Sequence, residues 1–127
     1  MARKFVFHGK SLEELQALST DEFLKLIKSR ARRYVNRMPV DYKRLLAKAR
    51  KVGPNKAIKT TIREAVILPE WIGLKFMVHG GKEFKQVVIL PDMVGRRLGD
   101  FVHTTGRVLH SGPGVGATRG SKFLPLK

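Results

Sequence analysis

The sequence predicts an α+β protein in which basic N-terminal helices precede a small β-sheet, a short helical turn and an extended C-terminal tail. Helix-start signals and helical spacing of apolar residues fill the first half of the chain. Two strand-like segments then surround a pair of glycines, which predicts a hairpin at about residues 74–90. The last stretch is rich in glycine and has no acidic residue after Asp100.

Two capping boxes mark the first helix starts. Ser11 is followed three positions later by Glu14, and Ser19 is followed in the same way by Glu22. In this pattern the serine and the glutamate satisfy backbone N–H groups that are free at a helix N-terminus. A helix is therefore expected to begin at each serine.

Two longer helices are expected after the second capping box. In DEFLKLIKSRARRYVNRM the apolar residues recur at steps of three and four, which predicts one amphipathic helix that Pro39 ends. Asp41 is then expected to cap the helix YKRLLAKARKV, which Gly53 and Pro54 end.

The middle of the chain has the residue pattern of strands. IKTTIREAVIL, which starts at Ile58, is rich in β-branched residues and predicts an extended or edge segment that Pro69 interrupts. LKFMVH and KEFKQVVIL flank Gly80 and Gly81, which favour a type I′ hairpin turn. The aromatic residues Trp71, Phe76 and Phe84 fall in this part, and at least two of them are expected in the core.

The region after the hairpin predicts little regular structure. PDMVGRRLGDF has helix-start signals and two glycines, so we expect one or two short turns there and no regular structure beyond Phe101. One domain is expected overall, divided into a basic helical extension (1–57), a β-hairpin core (58–104) and a basic glycine-rich tail (105–127).

Positive charge dominates the composition. The chain has 26 Lys and Arg against 10 Asp and Glu, a formal net charge of +16. Because a compact domain with this charge repels itself, we expect a polyanionic partner such as a nucleic acid. No uncharged apolar run approaches the roughly 20 residues of a membrane-spanning helix, and the N-terminus lacks the apolar run of an export signal. The absence of cysteine leaves no disulfide framework.

The basic residues concentrate in one segment. Residues 25–63 hold 14 Lys or Arg and a single acid, Asp41. Solvated helix surfaces usually mix both signs, whereas almost pure positive charge indicates contacts with phosphate groups. The candidate contacts in this segment are Arg30, Arg32, Arg33, Arg37, Lys51, Lys56, Lys59 and Arg63, and those in the tail are Arg107, Arg119 and Lys122.

Other functional classes have weaker support in the sequence. GPGVGA matches a dinucleotide-binding pattern at Gly112, Gly114 and Ala117, but no strand is predicted before it and too few residues remain for the full βαβ unit that this pattern needs. The four histidines lack metal-ligand spacing, and no catalytic cluster is indicated, so no cofactor, metal or enzymatic activity is expected. A chromatin-type protein that coats duplex DNA through phosphate contacts is the remaining alternative.

The segment GGKEFKQVVILPDMVGRRLGDFVHTT resembles the S-nineteen family of small-ribosomal-subunit proteins, whose signature runs from a G-K/R turn to MVG..LG(D/E)F..(T/S). ILPEWIGLKFMVHGGK is similar to the segment that precedes this signature. The long N-terminal part and the closing GPGVGATRGSKFLPLK resemble the archaeal and eukaryotic branch, and the archaeal one in particular. The residues that match are Ile67, Pro69, Ile72, Gly73, Val78, His79, Gly81, Lys82, Ile89, Met93, Val94, Gly95, Leu98, Gly99, Asp100, Phe101 and Thr104.

The resemblance implies a non-enzymatic protein of the cytoplasmic ribosome that takes part in translation. Such a protein lies in the head of the small subunit, on the 3′ major domain of its rRNA, beside ribosomal protein thirteen. Its tail reaches toward tRNA in the decoding region, so the glycines would let a cationic strand follow RNA. By the same resemblance, Lys82, Arg96 and Arg97 join the rRNA-binding residues, Gly95 and Gly99 allow close backbone approach, and Phe101 lies in the core.

Overall fold

The computed structural model describes residues 3–121 and has the α+β architecture that the sequence predicts. The four α-helices among these residues come first, and three strands follow. The helices are α1 (Leu12–Ala17), α2 (Thr20–Leu26), α3 (Ser29–Arg37) and α4 (Val40–Lys51). The strands are β1 (Ile58–Thr60), β2 (Lys75–His79) and β3 (Phe84–Val88).

Both predicted capping boxes are present. The Ser11 hydroxyl accepts a hydrogen bond from the Glu14 amide, and the Glu14 carboxylate accepts one from the Ser11 amide at 2.9 Å. Ser19 and Glu22 repeat this exchange at the start of α2. The predicted start of each helix is confirmed.

The prediction of one continuous helix up to Pro39 is wrong. The chain is extended at Ile27 (ψ 165°) and Lys28 (ψ 147°), which separates α2 from α3. The Arg32 side chain fills the break, because its Nε donates to the Leu24 carbonyl at 2.8 Å and its Nη2 reaches the Lys25 and Ile27 carbonyls at 3.3 Å. An arginine thus satisfies carbonyl groups that the end of α2 leaves free.

Helix α4 begins at Val40, two residues earlier than the predicted start at Tyr42. Pro39 is the residue before the helix, and Asp41 lies in the first turn instead of capping it. In that turn its carboxylate still interacts favourably with the positive end of the helix dipole. The helix ends at Lys51, shortly before Gly53, as expected.

The strands form one mixed sheet in the order β1-β2-β3. Strand β1 is an edge strand that runs parallel to β2, and β3 is antiparallel to β2, with His79 opposite Phe84. This confirms the edge segment and the hairpin. The type I′ turn at Gly80 and Gly81 is wrong, because it requires positive φ at both residues and only Gly81 (φ +102°) has it. A Cβ on Gly80 would come within 3.2 Å of the Val102 side chain, so close packing explains this glycine.

One hydrophobic cluster joins the helices to the sheet. Its aromatic centre runs from Tyr34 through Tyr42 and Trp71 to Phe76, with successive ring centroids 5.3, 6.2 and 5.0 Å apart. Trp71 and Phe76 are buried, which confirms the prediction for the aromatic residues, whereas Phe84 is partly exposed. The Tyr42 hydroxyl donates to the Val66 carbonyl at 3.0 Å. The basic helices are therefore held against the sheet by a shared core.

Short 3₁₀ helices follow the hairpin at Pro91–Met93 and Leu98–Phe101, as predicted. Phe101 is partly buried against the core. From 103 to 120 every residue is exposed, and the regular structure beyond Phe101 within the described chain is one 3₁₀ turn at Arg119–Ser121. None of the helices in residues 3–121 has the length and apolar character needed to cross a membrane.

Candidate RNA-binding surface

Helix α3 presents a row of arginines to solvent. Arg30, Arg33 and Arg37 are all exposed, and their spacing of three and four residues places them on one side of the helix. Arg32 is exposed as well, but its guanidinium is bound to the carbonyls at the end of α2. Arg32 therefore differs from the neighbouring arginines with which the sequence analysis grouped it.

A groove brings the cations of α3 together with those after the hairpin. It has a volume of about 490 Å³ and lies between the start of α3 and residues 94–97. Arg30 lines it from the helix, and Arg96 and Arg97 line it from the opposite side. One RNA-contact residue predicted from the basic segment thus lines the same groove as two that were predicted from the family resemblance. Lys28, which the sequence analysis did not single out, also lines it.

A second groove, of about 560 Å³, separates α4 from the β1 edge of the sheet. Lys59 lies in its wall, with the ammonium nitrogen 4.2 Å from the centre of the Phe84 ring, a cation–π distance. Arg44 and Lys48 of α4 line the same groove, and sequence reasoning missed them. Their spacing of four residues on the polar side of α4 was the available signal.

Arg63 has partners inside the protein. Its guanidinium donates to the carbonyls of His79 at 2.6 Å, Gly99 at 2.9 Å and Val102 at 2.6 Å. A Cβ on Gly99 would lie 2.9 Å from the Arg63 carbonyl oxygen, so this glycine is required by packing within the chain. Gly95 has φ +82° and likewise sits against Ile27. RNA contact by Arg63 stays a prediction.

The remaining candidates lie at the periphery. Lys51 and Lys56 are exposed at the end of α4 and in the loop to β1, and Lys82 is exposed in the hairpin turn. Arg107 and Arg119 are exposed in the tail. Lys122 lies outside the described residues. The cations of this group that the structure describes line neither groove.

Few of the cations have a carboxylate partner. Within residues 3–121 two ion pairs form, Arg44 with Asp41 at 3.7 Å and Arg50 with Glu70 at 3.2 Å. Other carboxylates bind backbone amides, as Asp100 does with the Arg97 N–H at 3.2 Å. These contacts leave most of the positive surface without a carboxylate partner.

The fold and this surface define a class: a small α+β protein with a strongly cationic exposed surface, the kind of surface that suits a polyanion. A sequence model of the family described as Ribosomal protein S19 matches residues 32–110. The chain belongs to the ribosomal protein S19 family.

Relatives cover nearly the whole chain. A protein named small ribosomal subunit protein uS19 from Thermoplasma volcanium is 45% identical over 127 residues, which are 99% of this chain and 83% of that protein. Its namesake from Saccharolobus solfataricus is 47% identical over 130 residues, 98% of this chain and 93% of the relative. The one from Thermoplasma acidophilum is 43% identical over 127 residues.

These matches confirm the family and the archaeal type that the sequence predicted. The similarity extends over the N-terminal helices, which precede the residues matched by the family model. The chain is thus a ribosomal protein, a structural component of the cytoplasmic ribosome with a part in translation. It is not an enzyme.

Proposed function

We propose that this chain is a structural protein of the small ribosomal subunit that binds small-subunit rRNA in the head, near the decoding region. The observation that carries the proposal is the exposed cationic surface, in which two ion pairs are found among residues 3–121 although the net charge is +16. A phosphate backbone offsets such a charge. The names of the relatives point to the same subunit.

The arrangement of cations suits folded RNA better than a straight duplex. Arginines on α3, lysines around the α4 groove and the exposed hairpin turn lie on different elements of one compact fold. Contacts from several elements can follow an irregular backbone path, and guanidinium groups bind phosphate oxygens through two donors. Helices and sheet share one core, so these contacts have a fixed geometry relative to one another.

Two further partners belong to the proposal. Ribosomal protein thirteen is the proposed protein neighbour in the head, on the strength of the family resemblance. The tail is proposed to approach tRNA, because all residues from 103 to 120 are exposed and Arg107 and Arg119 are among them. A segment that buries none of its residues between 103 and 120 in its own protein can follow another surface.

The test is a salt titration of binding to the isolated head-domain fragment of small-subunit rRNA, beside a duplex DNA with the same number of phosphates. We expect tighter binding to the RNA, and we expect the preference to persist at high salt because it includes shape-specific contacts. Equal binding that disappears with salt would support the chromatin-type alternative and refute rRNA recognition. Sedimentation with the small subunit provides an independent check.

Arg96 and Arg97 provide a residue-level prediction for the same assay. Replacing both with Gln should weaken RNA binding and make the plot of log K against log salt shallower by about 0.7 to 0.9 for each lost phosphate contact. Arg50→Gln is the control, because the Arg50 guanidinium already has Glu70 as a partner. If the double variant has the same salt slope as the control, these two arginines do not contact RNA phosphates.

A further inference from the structure

We infer that the groove between α3 and residues 94–97 holds a single RNA nucleotide, with its phosphate on the cations and its nucleoside against Phe7 and His8. This inference rests on the proposed rRNA binding and adds a specific site to it. The site combines the N-terminal turn, the start of α3 and the loop after the hairpin, which are far apart in sequence.

The charges of the groove favour a phosphate. Lys28 and Arg30 line one side, and Arg96 and Arg97 line the other. Four cations around about 490 Å³ repel one another unless an anion lies between them. Asp100, the carboxylate in the lining, already accepts a hydrogen bond from the Arg97 amide at 3.2 Å. The start of α3 adds to the positive potential, because it has no side-chain cap and no acidic residue in its first turn.

The N-terminal turn supplies flat rings at the same groove. Phe7 and Lys10 exchange backbone hydrogen bonds at 2.9 and 3.0 Å around His8 and Gly9. His8 has φ +49°, which is uncommon for a residue with a side chain and places its ring edge-on to Phe7, with the centroids 4.7 Å apart. Phe7 lies against Phe23 of the core, with the ring centroids 6.2 Å apart.

This turn is tight and is anchored on the core, so the Phe7 and His8 side chains form a stable wall. Aromatic and imidazole rings are common stacking surfaces for unpaired RNA bases. The groove volume of about 490 Å³ is within the range of pockets that accept small organic ligands, so a nucleotide fits. Stacking on the rings and contact of the phosphate with the cations of the groove are the two contacts that a single nucleotide needs.

The groove also gives the N-terminal part of the chain a role. The family model matches residues 32–110, whereas Phe7, His8, Lys28 and Arg30 precede that range. Arg96 and Arg97 lie within it. Half of the nucleotide site therefore comes from the N-terminal turn and helices. Their packing on the shared core holds these residues in place.

The test compares matched variants of the full chain in binding to the head-domain rRNA fragment. Lys28→Gln with Arg30→Gln should lower the affinity and reduce the salt slope by up to about twice 0.7 to 0.9, whereas Lys25→Gln, an exposed lysine outside the groove, should not. His8→Asn removes the ring and keeps a residue that tolerates positive φ. We expect it to lower the affinity about fivefold or more with an unchanged slope, and His103→Asn is its control.

Crosslinking provides a readout that does not depend on any variant. Ultraviolet irradiation of the wild-type complex, followed by peptide mapping, should attach RNA to the segment that contains Phe7 and His8. Groove variants that bind like their controls, or crosslinks confined to other segments, would overturn the inference and leave rRNA binding intact. That outcome would open the groove to an acidic protein segment instead. Failure of the wild-type chain to bind the RNA would refute the proposed function, and the inference with it.

Discussion

Arginines that are close in the sequence have different surroundings in the structure. Arg32 and Arg33 are both exposed on α3, but the Arg32 guanidinium is bound to backbone carbonyls at the end of α2. Arg63 lies in the same basic segment and holds three carbonyls from two parts of the chain. An arginine can serve either purpose because its planar group presents five donors. The net charge of a segment therefore does not tell which of its arginines reach RNA.

Arg63→Gln tests the internal role of that residue. The change removes charge-assisted hydrogen bonds to the His79, Gly99 and Val102 carbonyls, so we expect the free energy of unfolding to fall by about 2 to 4 kcal/mol. The measurement is urea unfolding, with the exposed Arg37→Gln as the control, which should change stability by less than about 0.5 kcal/mol. Equal stability of the two variants would mean that the Arg63 hydrogen bonds contribute little.

Tyr42 gives a prediction for alkaline pH. Burial, with smaller contributions from Tyr34 and Glu70, raises the pKa of the Tyr42 hydroxyl above its ordinary value of 10.0. Above that pH the unfolded chain loses this proton and the folded chain keeps it, so stability decreases by about 1.4 kcal/mol per pH unit from this group. Below it, the full stabilisation is present.

Tyr42→Phe removes this titration together with the hydrogen bond to Val66. The variant should be less stable by about 1 kcal/mol at pH 8, and the difference from the wild type should shrink and then reverse as pH rises beyond 10. Urea unfolding of both proteins between pH 8 and pH 11 measures this difference in the free energy of unfolding. Because lysines titrate equally in the two proteins, a constant difference across this range would contradict the raised pKa.

At the scale of elements, the break between α2 and α3 is stabilised by the Arg32 side chain, which bonds to carbonyls five to eight residues before it. The apolar periodicity continues through the break, since Phe23, Ile27, Ala31 and Val35 are all buried. The chain can leave the helix at Ile27 and Lys28 because Arg32 satisfies the free carbonyls. The turn of α3 away from α2 then creates the mouth of the groove at Lys28 and Arg30.

Arg32→Gln should mainly change stability, and Arg33→Gln should mainly change RNA binding. Arg32→Gln should lower the free energy of unfolding by about 1 to 3 kcal/mol, because the α2 carbonyls lose a charged donor, and should change the RNA salt slope little. Arg33→Gln should leave stability within about 0.5 kcal/mol and should make the slope shallower by about 0.7 to 0.9 if it contacts one phosphate. Urea unfolding and RNA titration of both variants decide the assignment, and equal effects in either assay would contradict it.

The sequence allowed prediction of elements whose causes are local. Capping boxes and the strand pattern around the two glycines act within a few residues, and both capped helix starts and the hairpin are present. Features that depend on distant contacts could not be predicted, such as the carbonyls around Arg63 and the packing of Gly80 on Val102. The break at Ile27 was missed because the apolar spacing continues through it. The same distinction between local and distant causes applies to the candidate RNA-binding surface. Its charged segment was predictable, whereas the meeting of Arg30 with Arg96 across a groove required the tertiary fold.

At the scale of the whole molecule, the core and the charge are arranged in separate layers. Apolar residues of the helices and of the sheet are buried in one cluster, and the cations lie around it. The tail contributes no buried side chain between residues 103 and 120, so its cations are not needed for the core. Stability and tail function should therefore be separable by truncation.

Removal of residues 104–127 tests this separation. We expect the free energy of unfolding to change by less than about 0.5 kcal/mol, because the described residues of this segment are exposed, whereas binding of tRNA to small subunits reconstituted with the truncated chain should weaken. The full-length variant Arg107→Gln with Arg119→Gln separates charge from chain length and should weaken tRNA binding less than truncation does. Urea unfolding and filter binding of tRNA are the measurements. A truncated chain that loses core stability would show that the tail packs on the protein, and unchanged tRNA binding would refute the proposed tRNA contact while leaving the rRNA surface in place.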